Sequence, residues 1–165
     1  MDRLAVILTC WLVAGVSESN AQCAAQADLD AWDLLDPAGH HTFLLVNSTK
    51  SSPRDCLKAT AQGNPVKPNA QVELSFKIEE RWAATNWEFV TNGPKMSATL
   101  GDRHEEATIV YGDDTCHVKV LGSGNIEYWK RSDSSNPNPC CQRVFDEKRG
   151  DRAFTEPQTK GCTGA

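Results

Sequence analysis

The stretch VELSFKIEERWAATNWEFVT, residues 72–91, alternates apolar and polar side chains in both of its halves, and its reading decides the fold. Val72, Leu74, Phe76 and Ile78 share one face of a strand, and Glu73, Ser75, Lys77 and Glu79 share the other. After a break from Glu80 to Ala84, Thr85, Trp87, Phe89 and Thr91 fall on one face, with Asn86, Glu88 and Val90 opposite. Side by side, the two strands make a wall that is apolar with a hydroxyl at its mouth. A packed sandwich has little use for Thr85 beside Trp87, whereas a ligand-holding barrel needs mostly apolar lining and a few placed polar groups. An ordinary half-buried hairpin is the other reading of these residues.

Met1 to Ser17 reads as a secretory leader: a single Arg3, an apolar run from Leu4 to Val16, then small and polar residues. The run is too short to cross a membrane, and nothing hydrophobic of comparable length follows. Cleavage after Ser17 or after Ala21 leaves residues 22–165 as one secreted, extracellular domain. Cys10 departs with the leader. Cys23, Cys56, Cys116, Cys140, Cys141 and Cys162 remain, an even set that in an exported chain reads as three disulfides. A zinc site would need cysteine pairs spaced by about two to four residues with a second pair or histidines downstream, and none is present. The adjacent Cys140 and Cys141 must each reach a different part of the fold. With 17 basic against 22 acidic side chains and no basic stripe interleaved with aromatics, nucleic acid is excluded as a partner.

The rest of the chain supplies short strands and two helices. Asp28 to Leu35 places Leu29, Trp32 and Leu35 on one face of a short helix that ends before Pro37. His41 to Val46 reads as a first strand, and Asn64, Pro65, Pro68 and Asn69 punctuate a loop. Further strands follow at 95–100, 106–111, 116–121 and 126–129, separated by glycine-rich turns. About seven or eight strands at this spacing make a closed antiparallel barrel or a sandwich. From Pro139 to Arg149, Cys140, Cys141, Val144 and Phe145 form one helical stripe, with Pro139 at the first position and Gly150 as cap. Asn47-Ser48-Thr49 is the one glycosylation sequon, expected to be exposed. An all-β barrel of eight antiparallel strands with a short N-terminal helix and a C-terminal α-helix is a lipocalin layout.

Several runs carry a closer resemblance. Asp30-Ala31-Trp32, Tyr111 through Cys116, Glu127-Tyr128-Trp129, the Cys140-Cys141 pair and the terminal Cys162 resemble the salivary lipocalins of ticks. Arg54-Asp55-Cys56-Leu57-Lys58, Trp82 through Trp87, Ala98-Thr99-Leu100-Gly101 and Cys116-His117-Val118 are similar to its moubatin-like branch, which includes a complement inhibitor. This resemblance implies bridges Cys23 to Cys140, Cys56 to Cys162 and Cys116 to Cys141, a choice that spacing alone cannot make. It implies a monomer that sequesters host inflammatory and haemostatic mediators during blood feeding. Such a trap is stoichiometric and works only if release is slow.

The resemblance also frames the ligand. Amine-binding members carry an acid directly after the cysteine of the Cys116 strand and a Glu two before the next tryptophan. Here Glu127 and Trp129 fit, but His117 replaces the acid, which weakens a histamine or serotonin site. Leukotriene-binding members use an apolar channel with a cation at the carboxylate end. By position this chain keeps Arg54, Thr85, Trp87, His117 and Trp129, with Leu35, Phe43, Leu57, Val72, Leu74, Phe76 and Phe89 as lining. Ala107 and Glu105 stand where an arginine and a glutamine are expected, and Lys119 either restores the missing positive charge or points outward. The expected ligand is therefore an eicosanoid, leukotriene or thromboxane, with a biogenic amine as the alternative. A naive strand reading of Cys116 to Leu121 instead puts His117 and Lys119 in solvent and the valines inside.

Two other partners fit the residues. The resemblance allows inhibition of complement component five, although the polar run Lys130 to Pro139 differs from the inhibitor's counterpart. Arg149-Gly150-Asp151 is an integrin-recognition tripeptide, which a capped helix end explains equally well. Nothing points to an enzyme or a cofactor: there is no Gly-x-Ser-x-Gly, no phosphate loop and no zinc-binding histidine pair. His40 and His41 read as loop residues.

Overall fold

A computed structural model describes Cys23 and residues 28–35, 41–134 and 139–162. The leader, its cleavage point, Pro37, His40 and part of the polar run before the last helix lie outside the described residues.

Helix α1 (Ala31–Leu34) precedes eight strands, β1 (Thr42–Ser48), β2 (Asp55–Val66), β3 (Asn69–Ile78), β4 (Arg81–Asn92), β5 (Lys95–Leu100), β6 (Arg103–Gly112), β7 (Cys116–Leu121) and β8 (Ile126–Arg131), and helix α2 (Pro139–Arg149) follows. Each strand pairs antiparallel with the next, and β8 pairs back onto β1, closing the barrel. Closure leaves no sheet edge unpaired. The β1–β2, β3–β4, β5–β6 and β7–β8 turns gather at one end, which is the mouth, and the remaining turns gather at the other.

The far end is plugged by α1. The Asp30 side chain caps the helix by accepting from the Trp32 N–H at 2.9 Å, and Lys67 pairs with Asp30 from the β2–β3 turn. The Ala31 N–H donates to the Gly93 carbonyl at 2.8 Å, so the helix is tied to the β4–β5 turn. Leu34 packs so closely on Gly112 that a Cβ there would lie 2.7 Å from a Leu34 methyl. Only Ala31 to Leu34 is helical, shorter than the span from Asp28 that the acidic start suggests.

Helix α2 lies outside the barrel against β6, β7 and β8. Its Cys140, Cys141 and Phe145 are buried with Val118, Ile126 and Tyr128. The disulfides are Cys23–Cys140, Cys56–Cys162 and Cys116–Cys141, the three bridges implied by resemblance. The helix keeps the boundaries read from its stripe, and Gly150 ends it at φ 55°, a conformation that favours glycine.

Four expectations are corrected. The break between β3 and β4 is two residues, Glu79 and Glu80, both at positive φ, so β4 starts at Arg81 and Ile78 lies exposed at the turn. The segment read as a loop around Asn64 and Pro65 is the end of β2, whose inward Ala59 and Ala61 are too small to give a clear alternation. The naive alternation reading of β7 is overturned: its polar residues face inward, as the ligand set implied by resemblance has them, and its valines face outward, because α2 buries the outer face. Asn47 is 3% exposed, not surface-placed, and its Nδ2 donates to Gln142 Oε1 of α2 at 3.1 Å.

Candidate ligand-binding cavity

The interior holds a cavity of about 270 Å³. The β3–β4 register sets Val72 opposite Trp87 and Leu74 opposite Thr85, so the two inward faces read from residues 72–91 meet as one wall. Thr85 Oγ1 accepts from the Trp87 indole N–H at 3.1 Å, fixing the ring against the wall. Phe43, Leu57, Phe76 and Phe89 extend the apolar lining, and Leu35 of the plug closes it from below.

The opposite wall is built from β7 and β8. Their register places His117 directly across from Trp129 and Lys119 directly across from Glu127, two consecutive inward pairs. His117 is 7% exposed, and its ring stacks at 10° to Trp129 with centroids 6.3 Å apart. Its Nδ1 is buried without a hydrogen-bond partner. Burial, reinforced by the nearby Lys119 charge, pushes the His117 pKa down to about 3, so the imidazole is neutral at physiological pH.

Glu127 is the hub of the polar end. It is 4% exposed, and its Oε2 accepts from the Trp129 indole N–H at 3.0 Å and pairs with Lys119 Nζ at 3.3 Å. Its Oε1 faces Lys50 Nζ at 3.5 Å, and Lys50 reaches Glu105 at 3.6 Å near the mouth. Burial raises the Glu127 pKa, but the two lysines and the indole N–H together outweigh it, and the carboxyl sits below its usual value. The Lys119 ammonium lies 4.6 Å from the Trp129 ring centroid.

All fourteen residues singled out from the sequence line this cavity, Glu105 and Lys119 among them. Arg54, the cation that the resemblance sets at a ligand's carboxylate end, lines the cavity from its rim. It is exposed at the mouth, with its guanidinium 4.8 Å from the Phe76 ring centroid. Lys50 was not legible, because it follows β1 in a bend where no alternation points it inward. Glu127 was visible only as part of an amine pattern, and its role as the partner of two lysines was not. Away from the cavity, Arg149 is engaged by Asp146 at 2.8 Å and lies over Phe154, so the guanidinium of the integrin-type tripeptide is already used within the fold.

A closed eight-stranded barrel, plugged at one end and hollow at its centre, defines a lipocalin. A search of family models finds no match. The chain is 34% identical to moubatin of Ornithodoros moubata over 155 residues, covering 90% of each protein. Its fold is shared with AM182, solved as a serotonin complex, at a TM-score of 0.75 and 20% identity, covering 86% of this chain and 97% of that one. The chain belongs to the tick salivary lipocalins, on the moubatin branch. Membership of that family makes it a secreted, non-catalytic protein.

Proposed function

We propose that the protein sequesters an oxygenated fatty acid of the eicosanoid class, held with its carboxylate toward the mouth and its chain along the apolar wall. Charge matching carries this reading. The interior carboxylate, Glu127, already faces Lys119 and Lys50, so an entering ammonium finds no unmatched anion to replace its lost hydration. An entering carboxylate meets Arg54, which pairs with no acid among the described residues. Thr85 and the unpartnered His117 Nδ1 suit hydroxyls along the chain.

A biogenic amine is the second reading, and the comparisons support it better than the first, since AM182 was solved with serotonin. Size also favours it. A cavity of about 270 Å³ lies just below the usual range of ligand pockets, about 300–1,000 Å³. An eicosanoid would extend through the mouth, whereas a bicyclic amine would be enclosed.

Titration with leukotriene and with serotonin, followed by tryptophan fluorescence, separates the two. One-to-one quenching by leukotriene, with serotonin weaker by about tenfold or more, supports the acid. The reverse order overturns it and selects the amine.

A further inference from the structure

The Lys119 ammonium sits between the Trp129 ring face, at 4.6 Å from its centroid, and Glu127 Oε2, at 3.3 Å. An aromatic face beside a carboxylate is what a primary ammonium needs on leaving water. The Trp129 indole N–H donates to the same oxygen at 3.0 Å, which holds the carboxylate beside the ring. Lys119 rises from the inward face of β7 directly across from Glu127, and its side chain is 14% exposed. The geometry points to Lys119 as a specificity-determining residue: a tethered ammonium that fills an amine site of the barrel's own making and so shuts out amine ligands.

Charge balance gives the same result. Lys50, Lys119, Glu105 and Glu127 form a neutral set linked by three ion pairs. A ligand ammonium added to that set leaves an excess cation in a poorly solvated space, which is costly. Removing the Lys119 ammonium leaves an excess carboxylate, which a free ammonium would restore. Lys50 does not compete for the vacated place, because it reaches the other oxygen, Oε1, at 3.5 Å and is shared with Glu105. Beyond its Cβ, a lysine side chain is a propylammonium, so n-propylammonium is the probe of matching shape.

This inference rests on the reading of the cavity as the ligand site, and leukotriene affinity for the wild type is measured alongside so that the two can fail separately. The variants are Lys119→Ala and Lys119→Thr, the second keeping a residue that favours strands. Serotonin and n-propylammonium are titrated by tryptophan fluorescence, and each is tested for its effect on melting temperature. Both probes are expected to bind the variants about tenfold or more tighter than the wild type and to raise only the variants' Tm. Lys119→Arg should behave as wild type, and Glu127→Gln added to Lys119→Ala should abolish the gain. A variant weakened in folding still reports, since a ligand of the native state raises its Tm. Serotonin binding as tightly to the wild type as to the variants, or no Tm rise in either variant, overturns the inference. An amine gain in the variants without leukotriene binding to the wild type leaves it standing and removes the eicosanoid reading.

Discussion

His117 and Trp129 face each other across the β7–β8 ladder, their rings 10° from parallel and both buried inside the barrel. Burial and then the Lys119 charge hold the imidazole pKa at about 3, against an ordinary value of 6.5. Below about 6.5 the unfolded chain takes up a proton that the folded chain refuses until about 3. The stability tied to His117 is therefore complete above 6.5 and declines as pH falls toward 3. Urea unfolding at about pH 7 and about pH 5 should show the loss, and His117→Gln should remove most of it. An unchanged pH dependence in the variant contradicts this assignment.

Glu127 acts lower on the pH scale. Its folded pKa lies below the ordinary 4.5, so its contribution is present above that value and is lost as pH falls through the folded one. Glu127→Gln leaves Lys119 and Lys50 without their shared carboxylate. Removing one partner from a buried ion pair costs about 3 kcal/mol at the low end of the usual range, appropriate here because Lys50 is 35% exposed. Equilibrium unfolding at neutral pH measures it, and a loss well under about 1 kcal/mol would place the pair among surface bridges.

The plug gives a third expectation. Gly112→Ala would bring a methyl to 2.7 Å from a Leu34 methyl and 3.2 Å from His117 Cβ. Leu34 must then shift, loosening α1, at a cost of about 1–3 kcal/mol. The melting temperature should fall, and acrylamide should quench the cavity tryptophans more readily than in the wild type.

Asn47 carries the fourth. Its side-chain nitrogen, the atom a glycan would occupy, is spent on Gln142 beneath α2. Peptide mapping of the secreted protein should find residue 47 unmodified. Full occupancy in folded protein would mean that the Asn47 side chain is not held by Gln142 of α2.

Legibility followed side-chain size and what covers each face. The wall of residues 72–91 was readable because Val72, Leu74, Trp87 and Phe89 are large and alternate strictly, and α2 was readable from its cysteine stripe. Strand β2 was hidden because its inward positions include Ala59 and Ala61, and because Gly63 and Pro65 resemble a turn. On β7 the alternation is clear but inverted, since the protein buries Val118 under a helix and turns Lys119 to a cavity. Sequence period gives the two faces of a strand, while only the packing says which one is inside. The exposure expected of the sequon is overturned for the same reason: Asn47 is buried, with its side chain bonded to Gln142 of α2.

The most direct test of a hollow, ligand-trapping interior is native mass spectrometry of the delipidated protein mixed in turn with leukotriene and with serotonin. A single adduct of one ligand per chain is expected, dominant with leukotriene and lost when the cavity wall is altered by Trp87→Ala. No one-to-one adduct with either ligand, or adducts that survive Trp87→Ala unchanged, would contradict it.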